Sequence, residues 1–244
     1  MIYIFSAFYA EAKNIIDHYG LKKEKSPETV RFDVFANDSI RLVITGVGEI
    51  NAAAAVSNIG GAYGISLDDE ILNVGCGAGF GNETCLGSIF LGNKLTEQMT
   101  GRTFYPDMLM KTNLMECEIV TVARVLNEGR DSVVYDMEAA AVYQAAAFFV
   151  GPHRMHFIKL VSDAGERIDQ WKITELFALQ EEKICGYIDM LLSVGGNKAS
   201  IDDTKSAWNI DGLISDMRCS KVMGDQLAQL IKYCRLSGID YKAV

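Results

Sequence analysis

The sequence has little proline, only 3 residues against 22 glycines, so its irregular stretches are expected to be tight loops and not extended linkers. It has no uninterrupted apolar run of 18 residues, which argues against a membrane-spanning helix. The start, Met1-Ile2-Tyr3-Ile4-Phe5, lacks the basic region of a secretory signal. The six cysteines, at 76, 85, 117, 185, 219 and 234, form no C-x-x-C pair. They read as reduced, mostly buried thiols of a cytoplasmic protein. With only 3 histidines and none near a cysteine pair, no metal site is expected. There is also no basic stripe: 32 acids against 23 bases give a net charge of −9, a poor match for nucleic acid or an acidic membrane.

What the chain does have is 49% hydrophobic residues over 244 positions, enough for a sizeable core. Strands are expected over residues 2–8, 30–36, 40–45, 71–74, 87–91, 118–125, 133–135 and 155–161, each a short apolar or β-branched run. Helices are expected over 11–19, 51–59, 137–150 and 171–194, the last closed by Gly195-Gly196-Asn197. Alternation of strands and helices argues for an α/β protein with a mixed or largely parallel sheet covered on both faces. Residues 197–206 are polar and linker-like. Apolar spacings at Ala207, Ile210, Ile214 and Met217, and at Met223, Leu227, Leu230, Ile231 and Cys234, then suggest a helical pair too small to fold alone.

In open α/β sheets, ligands gather beyond the carboxyl ends of strands. The residues following the expected strands are Ser6 to Glu11, Gly46-Val47-Gly48, the glycine cluster 75–81 and Ser162-Asp163-Ala164, while Asp136-Met137-Glu138 opens an apolar helix. Glu11, Glu138 and Asp163 can therefore converge on one edge. Each also has a plainer reading. Glu11 suits a first helical turn, where the helix dipole favours an acid. Asp163 could be a helix N-cap. Glu138 precedes Ala139-Ala140-Ala141, a face expected to be buried, where an acid is costly unless paired or bound to something. The glycine cluster is neither a dinucleotide fingerprint nor a Walker loop and could simply allow a tight turn.

The segment Val134-Tyr135-Asp136-Met137-Glu138-Ala139-Ala140-Ala141 resembles the signature of the nucleoside phosphorylase/nucleosidase family, which includes purine and uridine phosphorylases and methylthioadenosine/S-adenosylhomocysteine nucleosidases. Four further segments match in order: residues 6–11, 45–54 (TGVGEINAAA), 73–80 and 160–164 (LVSDA). The resemblance covers about residues 1–195 and implies a mixed, partly barrel-like central sheet flanked by helices. Residues 196–244 would then be a C-terminal helical extension. It further implies cleavage of the N-ribosyl bond of a purine nucleoside through an oxocarbenium-like ribosyl cation.

In that chemistry Asp163, with Ser162 beside it, would donate a proton to the departing base, a role that asks for a carboxyl group protonated near neutral pH. Glu138 would accept from the ribose hydroxyls and Met137 would pack on the sugar. Glu11 would take the proton of the attacking water. Val47 would line the 5′ pocket, and Cys76, which stands where nucleosidases carry serine, would lie beside the base with Gly77. Family phosphorylases place arginines in the early glycine loop and before the second one. Here those places hold Glu11 and Asn73, so hydrolysis is expected over phosphorolysis. Arg31, Arg41 and Arg102 keep open a phosphorylase with phosphate as co-substrate, and the added tail keeps open a non-catalytic nucleoside-binding relative. The segment before the acidic signature lacks the family's aromatic platform for the base, leaving Phe80, Phe104 and Tyr105 as candidates. No organic cofactor is implied, and a homodimer or higher homo-oligomer is expected.

Overall fold

A computed structural model describes residues 1–166, 168–196 and 210–221, with Met223, Gly224, Gln226, Leu227, Leu230 and Ile231 beyond. The chain divides into a unit Met1–Asn197 and a unit Lys198–Val244. In the second, a helix spans Ile210–Asp216, over the first apolar repeat of the tail. The polar stretch 197–206 and Cys234 lie outside the described residues.

In the larger unit the strands are β1 Ile2–Ser6, β2 Lys22–Lys23, β3 Asp33–Ala36, β4 Ile40–Ile44, β5 Glu70–Gly79, β6 Ile89–Glu97, β7 Thr103–Phe104, β8 Met115–Thr121, β9 Val133–Asp136 and β10 Met155–Asp163. The helices are α1 Tyr9–His18, α2 Glu49–Tyr63, α3 Ala139–Ala146, α4 Gln170–Leu179 and α5 Glu181–Gly196, with a 3-10 turn at Pro152–Arg154. Strands β5, β10, β6, β8 and β9 close on one another as a five-stranded barrel of mixed direction. Strands β1, β4, β3 and β2 continue outward from β5 as an open sheet. The expected partly barrel-like α/β architecture is what the chain adopts.

Period-two alternation fixes which face each strand presents. Tyr3 and Phe5 of β1, and Met155, Phe157 and Val161 of β10, pack with Ala52, Val56 and Ile59 of α2 and Val142 of α3. Ile2 and Ile4, and Ile158 and Leu160, pack with Ile15 of α1, Phe177 of α4 and Ile188 of α5. Helices therefore cover both faces. The row 155, 157, 159, 161 contains one breach of the apolar pattern, Lys159, which is completely buried.

Three expectations need correction. The glycine cluster is not a loop after a short strand: β5 runs through it to Gly79. The glycines are there because of close approach. A Cβ on Gly77 would lie 2.6 Å from Val134 Cγ1 and 2.7 Å from the Tyr135 carbonyl oxygen, and one on Gly79 would lie 2.1 Å from the Thr84 carbonyl oxygen. The helix expected over 171–194 is two helices, parted at Gln180, whose backbone leaves helical angles while its side-chain amide donates to the Gly87 carbonyl at 2.9 Å. The helix expected over 137–150 is only Ala139–Ala146, because the Asp136 carboxylate accepts the N–H groups of Glu138 (3.2 Å) and Ala139 (2.7 Å) and makes the preceding residues a turn.

Candidate active site

Strand β5 is where the sheet forks. Along one edge it pairs with β10 from Ile71 to Ala78. Along the other it pairs with β1 up to Asn73 and with β9 only from Ala78. Residues 74–77 have no strand on that second edge, and a buried N–H there must find another acceptor. Glu11 supplies it. Its Oε1 accepts the Cys76 N–H at 2.8 Å and the Cys76 thiol at 3.0 Å, and its Oε2 accepts the Phe8 N–H at 3.0 Å. Glu11 does occupy the first turn of α1, but it is 1% exposed and reaches across to β5. Burial, with the Glu11 carboxylate next to it, pushes the Cys76 thiol well above its ordinary range, so the sulfur remains a protonated donor.

A second cluster meets the first across Gly75. Lys159 is the β10 partner of Gly75, and a Cβ on Gly75 would lie 3.2 Å from Lys159 Nζ and 3.3 Å from Glu11 Oε1. The absent side chain thus points between an ammonium and a carboxylate. Lys159 Nζ lies 2.7 Å from Asp136 Oδ2, off the best hydrogen-bonding direction, and 3.9 Å from Glu138 Oε2. Burial works against the Lys159 charge, but Asp136, Glu138 and Glu11 outweigh it and hold its pKa above the usual value. Asp136 is itself fixed by the Thr121 hydroxyl at 2.7 Å. Glu138 accepts the Gly48 N–H, at the start of α2, on Oε1 at 2.8 Å. Burial raises its pKa to about 7, opposed by Lys159 and assisted by Asp136.

Asp163 ends β10, so it is no helix N-cap; that position before α4 belongs to Asp169. Its Oδ2 accepts the Ser162 hydroxyl at 2.6 Å and its Oδ1 the Gly165 N–H at 2.8 Å. The Ser162 hydroxyl also approaches the Gly77 carbonyl at 3.5 Å. Asp163 and Ser162 line a cavity of about 610 Å³ together with Phe80, Thr84, Asn127 and Lys172. Phe80 meets Tyr135 edge to face at 5.5 Å, and it packs with Met137 on the same small apolar cluster. Of the three candidate platforms, Phe104 is stacked on Tyr143 at 5.0 Å and Tyr105 is 60% exposed, leaving Phe80 on the cavity wall.

Hydrogen bonds and close approaches thus tie Glu11 to Cys76, Glu138 to the residue after Val47, and Ser162 to both Gly77 and Asp163. Val47 itself is 37% exposed and joins only through its neighbour Gly48. Sequence reasoning passed over Lys159, and it noted Asp136 without giving it a role. A lysine in the row Met155, Phe157, Val161 was the signal that could have found the first. Two of the arginines kept for a phosphate are engaged elsewhere. Arg41 pairs with Glu24 at 3.1 Å and covers the Tyr63 ring, and Arg102 donates to Gln144 at 2.9 Å. Arg31 is exposed.

No protein-family model matches the sequence, and no curated protein matches it. Solved structures do share its fold. The 5′-methylthioadenosine nucleosidase of Arabidopsis thaliana superposes with a TM-score of 0.61 at 17% identity, over 78% of this chain and 95% of that one. The 5′-methylthioadenosine/S-adenosylhomocysteine nucleosidase of Neisseria meningitidis, in complex with methylthio-immucillin-A, gives 0.61 at 16% identity over 78% and 97%. The futalosine hydrolase of Helicobacter pylori gives 0.58 at 13% identity over 79% and 97%. The chain therefore has the fold of the nucleosidases.

Proposed function

We propose that the protein hydrolyses the N-ribosyl bond of a purine nucleoside, with substrates of the methylthioadenosine/S-adenosylhomocysteine type. The observation that carries this is the buried meeting of Glu11 and Lys159 across Gly75, with Glu138 3.9 Å from the same ammonium. Glu138 accepts the ribose hydroxyls, and Met137 lies against the sugar. Asp163 protonates the base as the C1′–N bond breaks, so the purine leaves neutral. Glu11 takes a proton from the water whose oxygen bonds to C1′, while Lys159 orients that water. The ribosyl cation between them is flanked by carboxylates, which stabilise it more than they stabilise the neutral ground state. Phe80 supplies the face for the base, and Val47 borders the 5′ substituent.

Water is favoured over phosphate because three carboxylates (Glu11, Asp136, Glu138) act on one ammonium, Lys159. A phosphate anion would meet net repulsion there. No helix among the described residues is long and apolar enough to cross a membrane, and the described cysteines are free, which supports a cytoplasmic setting. We further propose a homodimer or larger homo-oligomer, in keeping with exposed Val47 and Ile50 at the 5′ end of the site.

The test is release of free base from a panel of purine nucleosides, with and without phosphate. Release without phosphate is expected. Strict dependence on phosphate refutes hydrolysis. Absence of release, with thermal stabilisation by nucleosides, refutes catalysis and leaves a binding protein.

A further inference from the structure

On the α1–α5 side of the larger unit, three metal-binding side chains converge that are far apart in sequence. His18 ends α1; Glu181 and Cys185 stand one turn apart at the start of α5. One donor atom from each, the imidazole nitrogen, a carboxylate oxygen and the sulfur, lies within 4.8 Å of the others. His18 Nδ1 and Glu181 Oε1, separated by 163 residues in sequence, are 3.1 Å apart. The Tyr19 hydroxyl pins this helix crossing, 2.8 Å from Asp189 Oδ1 and 3.0 Å from the Cys185 carbonyl.

We propose that His18, Glu181 and Cys185 bind one divalent cation of the zinc class, with water as the fourth ligand. Bonds of about 2.0–2.3 Å place the donors of a tetrahedral zinc site about 3.3–3.8 Å apart. The nitrogen–oxygen pair is already that close. The side chains of His18 and Glu181 are 41% and 40% exposed and free to rotate the rest of the way, whereas Cys185 is buried and fixes the floor. A simple His18–Glu181 ion pair accounts for two of the three groups, and the sulfur beside the Tyr19 hydroxyl brings a third donor within reach of both. The donor set of imidazole, carboxylate and thiolate selects zinc, cobalt or nickel over magnesium or calcium. The surroundings also favour a cation: Glu182 shares the first turn of α5, Asp189 lies one turn beyond Cys185, and the α1 carboxyl end carries negative dipole charge. Binding requires the Cys185 thiol to give up its proton to become a ligand. The expectation of no metal rested on spacing along the chain, which cannot register a set brought together by folding.

The test is titration of the tag-free full chain with cobalt(II) under reducing conditions. A thiolate-to-cobalt charge-transfer band saturating at one equivalent, and displaced by zinc, is expected. The band should vanish in Cys185→Ser. Affinity should fall in His18→Gln by more than the about 10–100-fold typical of losing an outer-shell partner. His18→Gln changes an exposed residue outside the nucleoside site, so it should fold and keep base release unchanged, and it decides the matter if Cys185→Ser does not fold. Absence of the band in the parent, or a band unaffected by His18→Gln, overturns the proposal.

Discussion

Gly75→Ala separates chemistry from folding. The new Cβ would sit 3.2 Å from Lys159 Nζ and 3.3 Å from Glu11 Oε1, tighter than ordinary contact but against the ends of side chains. Gly75 is not among the glycines with positive φ, so alanine adopts its backbone without strain. Reducing the freedom of the unfolded chain gains about 0.4–1 kcal/mol, comparable to the cost of a few tenths of an ångström of side-chain adjustment. Net stability should change by less than about 1 kcal/mol, or about 2–4 °C in melting temperature. The proposed catalysis has no such tolerance. The methyl group enters the space between Glu11 and the Lys159 ammonium, where that mechanism holds the attacking water, and would displace it from Glu11. Losing a positioned general base costs about 10²–10⁴-fold. The assay is phosphate-independent base release beside a thermal melt. Gly77→Ala is the control: its Cβ would strike Val134 and the Tyr135 carbonyl, with a cost of about 1–3 kcal/mol that appears first in the melt. A Gly75→Ala protein that melts like the parent and retains its kcat would refute the placement of the water.

Asp163→Asn should lose about 10²–10⁴-fold in kcat while still binding nucleosides, since only the proton donor is removed; calorimetric binding beside turnover checks it. Glu138 ionises near pH 7 in the free protein, so kcat/KM should rise as pH passes through about 7. Glu138→Gln should flatten that rise and lower kcat/KM by about 10–150-fold, the value of one charged hydrogen bond of about 1.5–3 kcal/mol. The same raised pKa gives the ligand-free protein stability that is present at low pH and lost as pH climbs through about 7, and a nucleoside analogue should restore it; melts across pH test this. Glu70 behaves oppositely. Burial alone would raise its pKa, but hydrogen bonds from His156 and Arg154 outweigh that and lower it. Its contribution is present above the ordinary glutamate range and is lost on acidification. Glu70→Gln should melt about 2–5 °C lower at pH 7, with the gap closing below about pH 4.

Patterning made most strands of this fold legible because they are largely buried, whereas the two-residue strands Lys22–Lys23 and Thr103–Phe104 carry no apolar run to betray them. The glycine cluster misled for a physical reason. Glycine signals a turn when chain direction must change, yet here Gly75, Gly77 and Gly79 lie on one face of a continuous strand, where neighbouring atoms leave no room for a Cβ at Gly77 and Gly79 and only a tight fit at Gly75. The break at Gln180 was equally hidden. The apolar period continues across it, and only the Gly87 carbonyl, 93 residues away, reveals why the helix stops there. The acids Glu11, Glu138 and Asp163 could be named from sequence because they adjoin strand ends. Lys159 stood out only as a lysine in an apolar row, and its role stayed hidden because its partners Asp136 and Gly75 come from other strands.

The fork in β5 explains why the carboxylates had to be where they are. Leaving the open sheet for the barrel costs β5 its pairing on one edge over residues 74–77. The Cys76 N–H left there requires an acceptor, and Glu11 provides one with full charge. A lone buried carboxylate is expensive, as is a lone buried lysine, and the two offset each other only through further partners, Asp136 and Glu138. Replacing Lys159 by methionine would therefore leave Asp136 buried without its counter-ion, at a cost of about 3–5 kcal/mol. The charged cluster is the fold's answer to its own missing hydrogen bonds. It is also an arrangement of acids suited to a cationic ribosyl group, so the groups that stabilise the fork are those the proposed chemistry would use.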